Sequence, residues 1–302
     1  MKIAVTTPSG HVGSSVADFL LDFGRDVQVK LLGRRPEKLQ DFVRRGAEMA
    51  VGVQEDADYL VSATQGVDAL FWTTPPAFGS DNVRSFQHRL GQAAATAIRA
   101  NKIPRVVNVS SIGADLESGA GPISGLHDVE ELINQVGCHV THLRPGFFFE
   151  NLLMQIDTIR TWGRVSLPIT GSFAYPMIAT RDIGRVAAGR LINTNWKGRV
   201  VQELHGPVDL SFREMADVLS QVLDRKIVYV KADPRDFREE LVKKGLSENV
   251  ADSLLEMYGA MESGQIRTTQ PRTPETTTPT TLAEFAREVI VPLIAQPVGA
   301  GR

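Results

Sequence analysis

The stretch that decides the fold is Thr6-Thr7-Pro8-Ser9-Gly10-His11-Val12-Gly13. It follows a predicted strand at residues 3–6 and opens a predicted helix at residues 12–23, which we expect to stop at Gly24. Gly10 lets the backbone approach phosphate oxygens, and Gly13 lets the helix pack closely on the strand. The N–H groups and the positive dipole end of the helix then favour a pyrophosphate. The alternative is an ordinary βα turn that uses its glycines for geometry alone.

Strands and helices alternate from this turn to about residue 150, and the strands are apolar on both faces, as buried parallel strands are. After residue 150 helices dominate the pattern. The pattern predicts an α/β protein with a Rossmann-type, doubly wound parallel sheet and a smaller, mainly helical C-terminal lobe. We assign residues 1–155, joined by a segment near 178–207, to the NAD(P)-binding domain and residues 156–302 to a substrate-binding lobe. The predicted strands are 27–32, 47–51, 68–74, 105–110, 140–144, 200–204 and 227–230. The predicted helices are 36–45, 56–65, 83–100, 129–136, 151–162, 182–192, 212–223, 234–244, 249–261 and 282–294.

Two local sequence signals refine the prediction for the C-terminal half of the chain. Ser211 with Glu214, and Thr281 with Glu284, form capping boxes that begin helices. Residues 268–281 are rich in threonine and proline, and we predict an extended loop held against the body of the protein, with a linker as the alternative.

Composition restricts the class of protein further. The chain has 302 residues, a formal net charge of −2 and 42% hydrophobic residues, which is typical of a globular protein without a nucleic-acid or membrane-surface role. Its one cysteine, Cys138, excludes an intrachain disulfide and a cysteine-based metal site, so we expect a reducing compartment, the cytoplasm. No apolar run approaches the ~20 residues of a membrane span, and we expect no secretory signal. We expect no bound metal.

The end of the second predicted strand indicates the type of dinucleotide. It reads Leu32-Gly33-Arg34-Arg35, where an acidic residue would bind the ribose hydroxyls of NAD. Arginine would instead bind the 2′-phosphate of NADP, so we predict NADP(H) as the cofactor and regard NAD(H) as the lesser alternative. Two solvated arginines before a helix are the structural alternative.

A set of short motifs occurs along the chain in a specific order and spacing: Ser9-Gly10-His11-Val12-Gly13, Arg34, Gly66-Val67-Asp68-Ala69-Leu70-Phe71, Val109-Ser110-Ser111-Ile112-Gly113-Ala114, His127 with Glu130 and Glu131, Leu143-Arg144-Pro145-Gly146-Phe147-Phe148, Glu150-Asn151-Leu152-Leu153, Arg181-Asp182-Ile183, Gly206-Pro207 and Leu210-Ser211. In these motifs the chain resembles the NmrA-like branch of the atypical short-chain dehydrogenase/reductases, near its NADPH–quinone oxidoreductases and azoreductases, over nearly its whole length. Two departures from the usual family sequence stand out: Thr7-Pro8 replaces the usual Gly-Ala, and Val53 replaces a common aspartate, which leaves Gln54 to hold adenine.

The resemblance implies that nicotinamide lies beside the loops after strands four, five and six. The predicted cofactor contacts are Thr7, Ser9, Gly10, His11, Val12, Gly13, Arg34, Arg35, Thr73, Thr74, Pro75, Ser110, Pro145 and Phe147.

The chain lacks the Tyr-x-x-x-Lys dyad with which short-chain dehydrogenases exchange a proton with the substrate oxygen. No tyrosine occurs between residues 59 and 175, and no lysine between residues 102 and 197. Alcohol–ketone chemistry and sugar-nucleotide epimerisation are therefore disfavoured. A quinone, an azo bond or an activated enone still accepts hydride, because its developing anion is delocalised and water can protonate it.

We predict NADPH-dependent reduction of a small conjugated acceptor such as a quinone. His127 is the candidate proton donor, with a structural histidine as the alternative, and lobe packing is the alternative for the aromatic residues of the pocket. The rival function is a non-catalytic NADP(H) sensor that binds a regulatory protein partner; a homodimer is compatible with either. The predicted substrate-pocket residues are Phe148, Phe149, Asn151, Trp162 and Phe173.

Overall fold

The computed structural model describes residues 1–23 and 26–295, so the predicted helix stop at Gly24 lies outside the described residues. Within them no helix is long and apolar enough to cross a membrane. The strands are β1 Lys2–Thr6, β2 Gln28–Gly33, β3 Glu48–Val51, β4 Ala69–Thr73, β5 Arg105–Val109, β6 His139–Pro145, β7 Phe147–Phe148, β8 Arg164–Leu167, β9 Ala174–Ile178, β10 Arg199–Leu204, β11 Asp209–Ser211 and β12 Val228–Lys231. The α-helices are α1 His11–Asp22, α2 Gln40–Arg44, α3 Ala57–Ala63, α4 Val83–Asn101, α5 Pro122–Asn134, α6 Ile156–Trp162, α7 Thr180–Ile192, α8 Phe212–Val222, α9 Pro234–Lys243, α10 Glu248–Glu262, α11 Leu282–Phe285 and α12 Val291–Ala295.

The central sheet has seven strands in the order β10-β6-β5-β4-β1-β2-β3, and all of its pairs are parallel. Along the chain, β2 and β3 are added in turn on one side of β1. The later strands β4, β5, β6 and β10 are then added in turn on its other side. Between β1 and β4 the strand order therefore reverses, and ligands of such sheets bind outside the carboxyl ends of the strands at this point. The predicted doubly wound parallel sheet is confirmed. The segment near 178–207 supplies its seventh strand, β10, and the helix α7.

Helices cover both faces of the sheet, and each face has its own apolar core. On one face α1 and α7 pack around buried residues such as Val16 and Ile183. On the other, α3, α4 and α5 pack around Leu60, Leu90 and Val129. A third apolar cluster lies in the C-terminal half. The strands are buried on both sides, which explains their continuous apolar sequences.

The C-terminal half contains more strands than its sequence pattern predicts. Strands β7, β9 and β11 form one small sheet, and β8 pairs with β12 in another. These strands have two to five residues, too few to show a periodic pattern. The helix expected at residues 129–136 begins two turns earlier, at Pro122, a residue favoured in the first turn of a helix.

The threonine-rich segment is held against the body, as predicted. The backbone N–H and hydroxyl of Thr269 donate to Glu203, at 2.8 and 2.7 Å. The backbone N–H and hydroxyl of Thr280 donate to Asp182, at 2.9 and 3.0 Å. Both predicted capping boxes are present, at Ser211 and Thr281.

Candidate functional site

The turn between β1 and α1 has the geometry of an anion site. Thr7 takes a left-handed backbone conformation, with φ of 46°, where glycine is the usual residue. Gly10 precedes α1, and its N–H donates to the Thr7 carbonyl at 2.9 Å. The first turn of α1 contains no acidic residue, and its N–H groups have no helical acceptors. The turn therefore presents donors and a positive dipole end to a phosphate.

Gly13 is the position in this turn where a side chain has no space. A Cβ at Gly13 would lie 2.2 Å from the Thr7 carbonyl oxygen and 3.0 Å from that of Thr6. Both neighbours are backbone atoms, so no rotamer change relieves the clash. Glycine at this position is what lets α1 approach β1 closely.

Arg34 and Arg35 lie exposed at the end of β2 and line the same cavity as the turn. Within residues 1–23 and 26–295, neither side chain has an ion-pair or hydrogen-bond partner in the structure, so both are available to a phosphate. Val53, which replaces the family's aspartate, is 47% exposed. The Gln54 amide beside it donates to the Thr73 carbonyl at 2.9 Å, which fixes its position in the cavity wall.

The cavity has a volume of 1480 Å³ and runs from the turn into the C-terminal half. The lobe contributes residues of α9 and α10, including Phe237, Leu254 and Met257. The predicted residues that the structure brings together here are Thr7, Ser9, Gly10, His11, Val12, Gly13, Arg34, Arg35, Thr73, Thr74, Pro75, Ser110, Phe147, Phe148 and Asn151.

His127 does not line the cavity. It lies in the middle of α5, and its Nδ1 is 3.0 Å from the Ala114 carbonyl oxygen, which matches the structural alternative. The residues of α5 that line the cavity are Pro122, Ile123 and Leu126. Pro122 and Leu126 have the four-residue spacing that a Tyr-x-x-x-Lys dyad requires, yet both are apolar. The described residues of α5 that line the cavity therefore include no proton donor.

The other predicted residues that the structure places outside the cavity lining are Pro145, Phe149, Trp162 and Phe173. Phe149 is 1% exposed and packs against Phe285, with ring centroids 5.5 Å apart, because it faces the lobe core. Trp162 is 75% exposed at the end of α6. Phe173 stacks on Tyr175 at 5.8 Å, and Pro145 ends β6. The alternative for these aromatic residues is packing within the C-terminal lobe, and Phe149 is the residue that matches it best.

Several polar residues of the cavity wall are not among those predicted from the sequence. Glu150 is largely buried and accepts from the Thr180 N–H at 3.1 Å and from its hydroxyl at 2.6 Å, which caps α7. Burial raises the pKa of Glu150 despite these hydrogen bonds. Gln87, Tyr175 and Tyr258 also line the cavity. The motif after β6 contains Glu150 and could have indicated it, but no local pattern marks the other three.

The sheet, the glycine turn at its switch point and the arginine pair define a Rossmann-type dinucleotide-binding protein. The chain belongs to the NmrA-like family, whose model matches residues 1–286. It is 28% identical to an NAD(P)H azoreductase of Xenophilus azovorans, over 94% of this chain and 96% of that protein. It is 27% identical to quinone oxidoreductase 2 of Escherichia coli strain K12, over 87% and 89%. The crystal structure of an Escherichia coli NADPH-dependent quinone oxidoreductase complexed with NADPH has the same fold, with a TM-score of 0.79, 23% identity, and coverage of 96% and 99%.

Proposed function

We propose that the chain is an NADPH-dependent oxidoreductase that transfers hydride to a small conjugated acceptor such as a quinone. The relatives named as azoreductase and quinone oxidoreductase support this class of reaction, and they align along most of the chain.

The observation that carries the proposal is the extent of the cavity. Its 1480 Å³ exceeds the ~300–1,000 Å³ of a pocket for one drug-sized ligand. Residues of the phosphate turn line it together with residues of α5, β9 and α10. Because the lining extends from the phosphate turn into the C-terminal half, we expect the cavity to hold a second molecule beside the dinucleotide, which a sensor that binds only NADP(H) does not need.

The residues of the site suit a reaction that needs positioning more than proton transfer. When bound here, NADPH would supply the hydride, and water would supply the remaining proton to the delocalised anion of the acceptor. The turn at Gly10 and Gly13 binds the phosphates. Phe148 and Asn151 contact the acceptor, and the apolar face of α5 excludes water from it. Holding the two reactants in register contributes most of the acceleration.

The cofactor preference tests the arginine pair. We expect the protein to bind NADPH about 10- to 100-fold more tightly than NADH, since each charge-assisted hydrogen bond contributes roughly 1.5–3 kcal/mol. The double change Arg34→Gln and Arg35→Gln should remove most of this preference, as measured by calorimetry. Arg44→Gln is the matched control, because Arg44 is exposed, pairs with Asp41 and does not line the cavity. Equal affinities of the unchanged protein for the two cofactors would contradict the NADP(H) assignment.

Turnover of variants tests the mechanism. We expect His127→Ala to lower quinone reduction by less than ~100-fold, the lower limit for loss of a general acid. Phe148→Ala should lower it as much or more, because it enlarges the cavity where the acceptor is positioned. Steady-state NADPH oxidation measures both, and both variants should bind NADPH normally.

A loss beyond ~10⁴-fold in folded, NADPH-binding His127→Ala would show that a dedicated proton donor exists. Tight NADPH binding without turnover of any quinone, azo dye or enone would instead support the sensor with a regulatory partner.

A further inference from the structure

The four tyrosines of the chain divide into two pairs by their hydrogen bonds. The Tyr59 hydroxyl donates to the Ala50 carbonyl at 2.8 Å. The Tyr229 hydroxyl lies 2.7 Å from the Ile169 carbonyl oxygen and 3.1 Å from that of Leu167. Both of these phenols are therefore satisfied within the protein.

Tyr175 and Tyr258 are different. They are only 6% and 7% exposed, and neither hydroxyl has a hydrogen-bond partner among the residues that the structure describes. Both line the cavity. The two hydroxyl oxygens are not among the described polar atoms that are fully buried without a partner, so each oxygen reaches the surface of the cavity. Each tyrosine therefore presents to the cavity a hydrogen-bond donor that a ligand there can use, while its ring stays buried.

The two phenols belong to different walls of the cavity. Tyr175 lies on β9, and the carbonyl of its neighbour Pro176 lies 2.2 Å from where a Cβ of Gly146 would be. This contact places Tyr175 beside the carboxyl end of β6, where the dinucleotide crevice is expected. Tyr258 lies on α10, and its ring packs edge-on against Phe237 at 5.8 Å.

We infer that the hydroxyls of Tyr175 and Tyr258 donate hydrogen bonds to carbonyl-type oxygens of the substrate and select such acceptors over oxygen-free ones. This inference rests on the proposed function, since it concerns the acceptor site of the same cavity. Apolar side chains, among them Ile123, Leu152 and Met261, also line the cavity. Such a site fits a flat apolar molecule with oxygens at its edge.

The protonation state of the phenols agrees with a role as donors. Burial raises the pKa of both phenols above the ordinary tyrosine value. Glu203 and Asp115 raise the pKa of Tyr175 further by their charge. Both groups therefore stay protonated at neutral pH, and neither serves as a base.

The test compares Tyr175→Phe and Tyr258→Phe with Tyr229→Phe as the matched control. Tyr229 is also a partly buried tyrosine of the C-terminal half, but it does not line the cavity. Calorimetry measures the binding of an uncharged 1,4-naphthoquinone to the NADP⁺-loaded protein. A second titration uses a triarylmethane dye cation that contains no oxygen. Steady-state kinetics of NADPH oxidation are recorded for both acceptors.

We expect each cavity variant to weaken quinone binding and raise the KM for the quinone about 3- to 10-fold, the effect of one neutral hydrogen bond. Binding of the dye and of NADPH should not change. Tyr229→Phe should leave all of these values unaltered. The double variant should lose about 10- to 100-fold if the two contributions add.

The other possible outcomes separate a failure of this inference from a failure of the proposed function. If the unchanged protein reduces the quinone and the cavity variants behave as Tyr229→Phe does, the inference fails and the proposed function stands. An equal loss of quinone and dye binding also overturns the inference, since it indicates altered packing. If quinone binds and the cavity variants weaken it without any turnover, the inference holds and the proposed reaction fails. If the quinone neither binds nor reacts, both are wrong.

Discussion

Gly13→Val should abolish NADPH binding, with an affinity loss of at least about 100-fold, while the protein stays folded. Even the first atom of the new side chain would lie 2.2 Å from the Thr7 carbonyl oxygen. Thr7 and the start of α1 would have to separate, which moves the N–H donors of the helix away from the phosphates. Calorimetry measures the affinity, and circular dichroism verifies the fold.

Gly189→Ala is the matched control for this change. Gly189 lies within α7, and a Cβ there would have no neighbour within 4 Å in the part of the chain that the structure describes. The control should bind NADPH normally and gain roughly 0.5–1 kcal/mol of stability, because alanine favours a helix interior over glycine. Normal NADPH binding by a folded Gly13→Val variant would show that the phosphates bind elsewhere.

Glu130→Ala should lower the free energy of unfolding by about 3–5 kcal/mol, since it leaves a buried guanidinium without its partner. Glu130, on α5, is 1% exposed and accepts two hydrogen bonds from Arg144 of β6, at 2.9 and 2.8 Å. The carboxylate of Asp115 also lies near Arg144, at 3.6 Å, but it is half exposed. Urea denaturation measures the loss.

The neighbouring Glu131→Ala is the control. Glu131 lies 3.5 Å from Arg199, and both side chains are exposed to solvent. Such surface pairs contribute about 0–1 kcal/mol, so the two adjacent glutamates should differ several-fold in effect. Similar losses in both variants would mean that the buried pair adds little to stability.

The pH dependence of this contribution has a definite sign. Burial alone would raise the pKa of Glu130, but the hydrogen bonds and charge of Arg144 lower it below the ordinary value of 4.5. The contribution of Glu130 to stability is therefore fully present above pH 4.5 and is lost as the pH falls through the lower, folded-state pKa. The difference in unfolding free energy between the unchanged protein and Glu130→Gln should therefore shrink as the pH falls below 4.5.

Much of the sheet could be predicted because its signals are local. Strand β4, Ala69-Leu70-Phe71-Trp72-Thr73, is a continuous apolar run, as expected for a strand buried on both faces. Strand β7 has two residues, and its pairing with β9 joins distant parts of the chain, so no local pattern could indicate it. The start of α5 was missed because Gly125 weakens the helix signal. A Cβ at Gly125 would lie 1.8 Å from Oε1 of Gln87, so a larger residue there would require the Gln87 side chain to move.

In the candidate site, too, some features follow from the local sequence and others depend on packing between distant elements. Its phosphate turn and arginine pair follow directly after β1 and β2, so the strand positions place them at one edge of the sheet. The part of the cavity that we propose for the acceptor is lined by residues of α5, β9 and α10, and the directions of their side chains depend on packing between these elements. Phe149 therefore faces the core while its neighbour Phe148 faces the cavity.

By itself, the sequence determined the α/β alternation, the glycine turn after β1, the arginine pair and the absence of a Tyr-x-x-x-Lys dyad. Each of these depends on residues that are close together in the chain. Only the tertiary structure decided that His127 bonds to a loop carbonyl outside the cavity and that Tyr175 and Tyr258 line it. The physical reason is that burial and hydrogen-bond satisfaction depend on which distant elements meet, and the order of residues does not specify this locally.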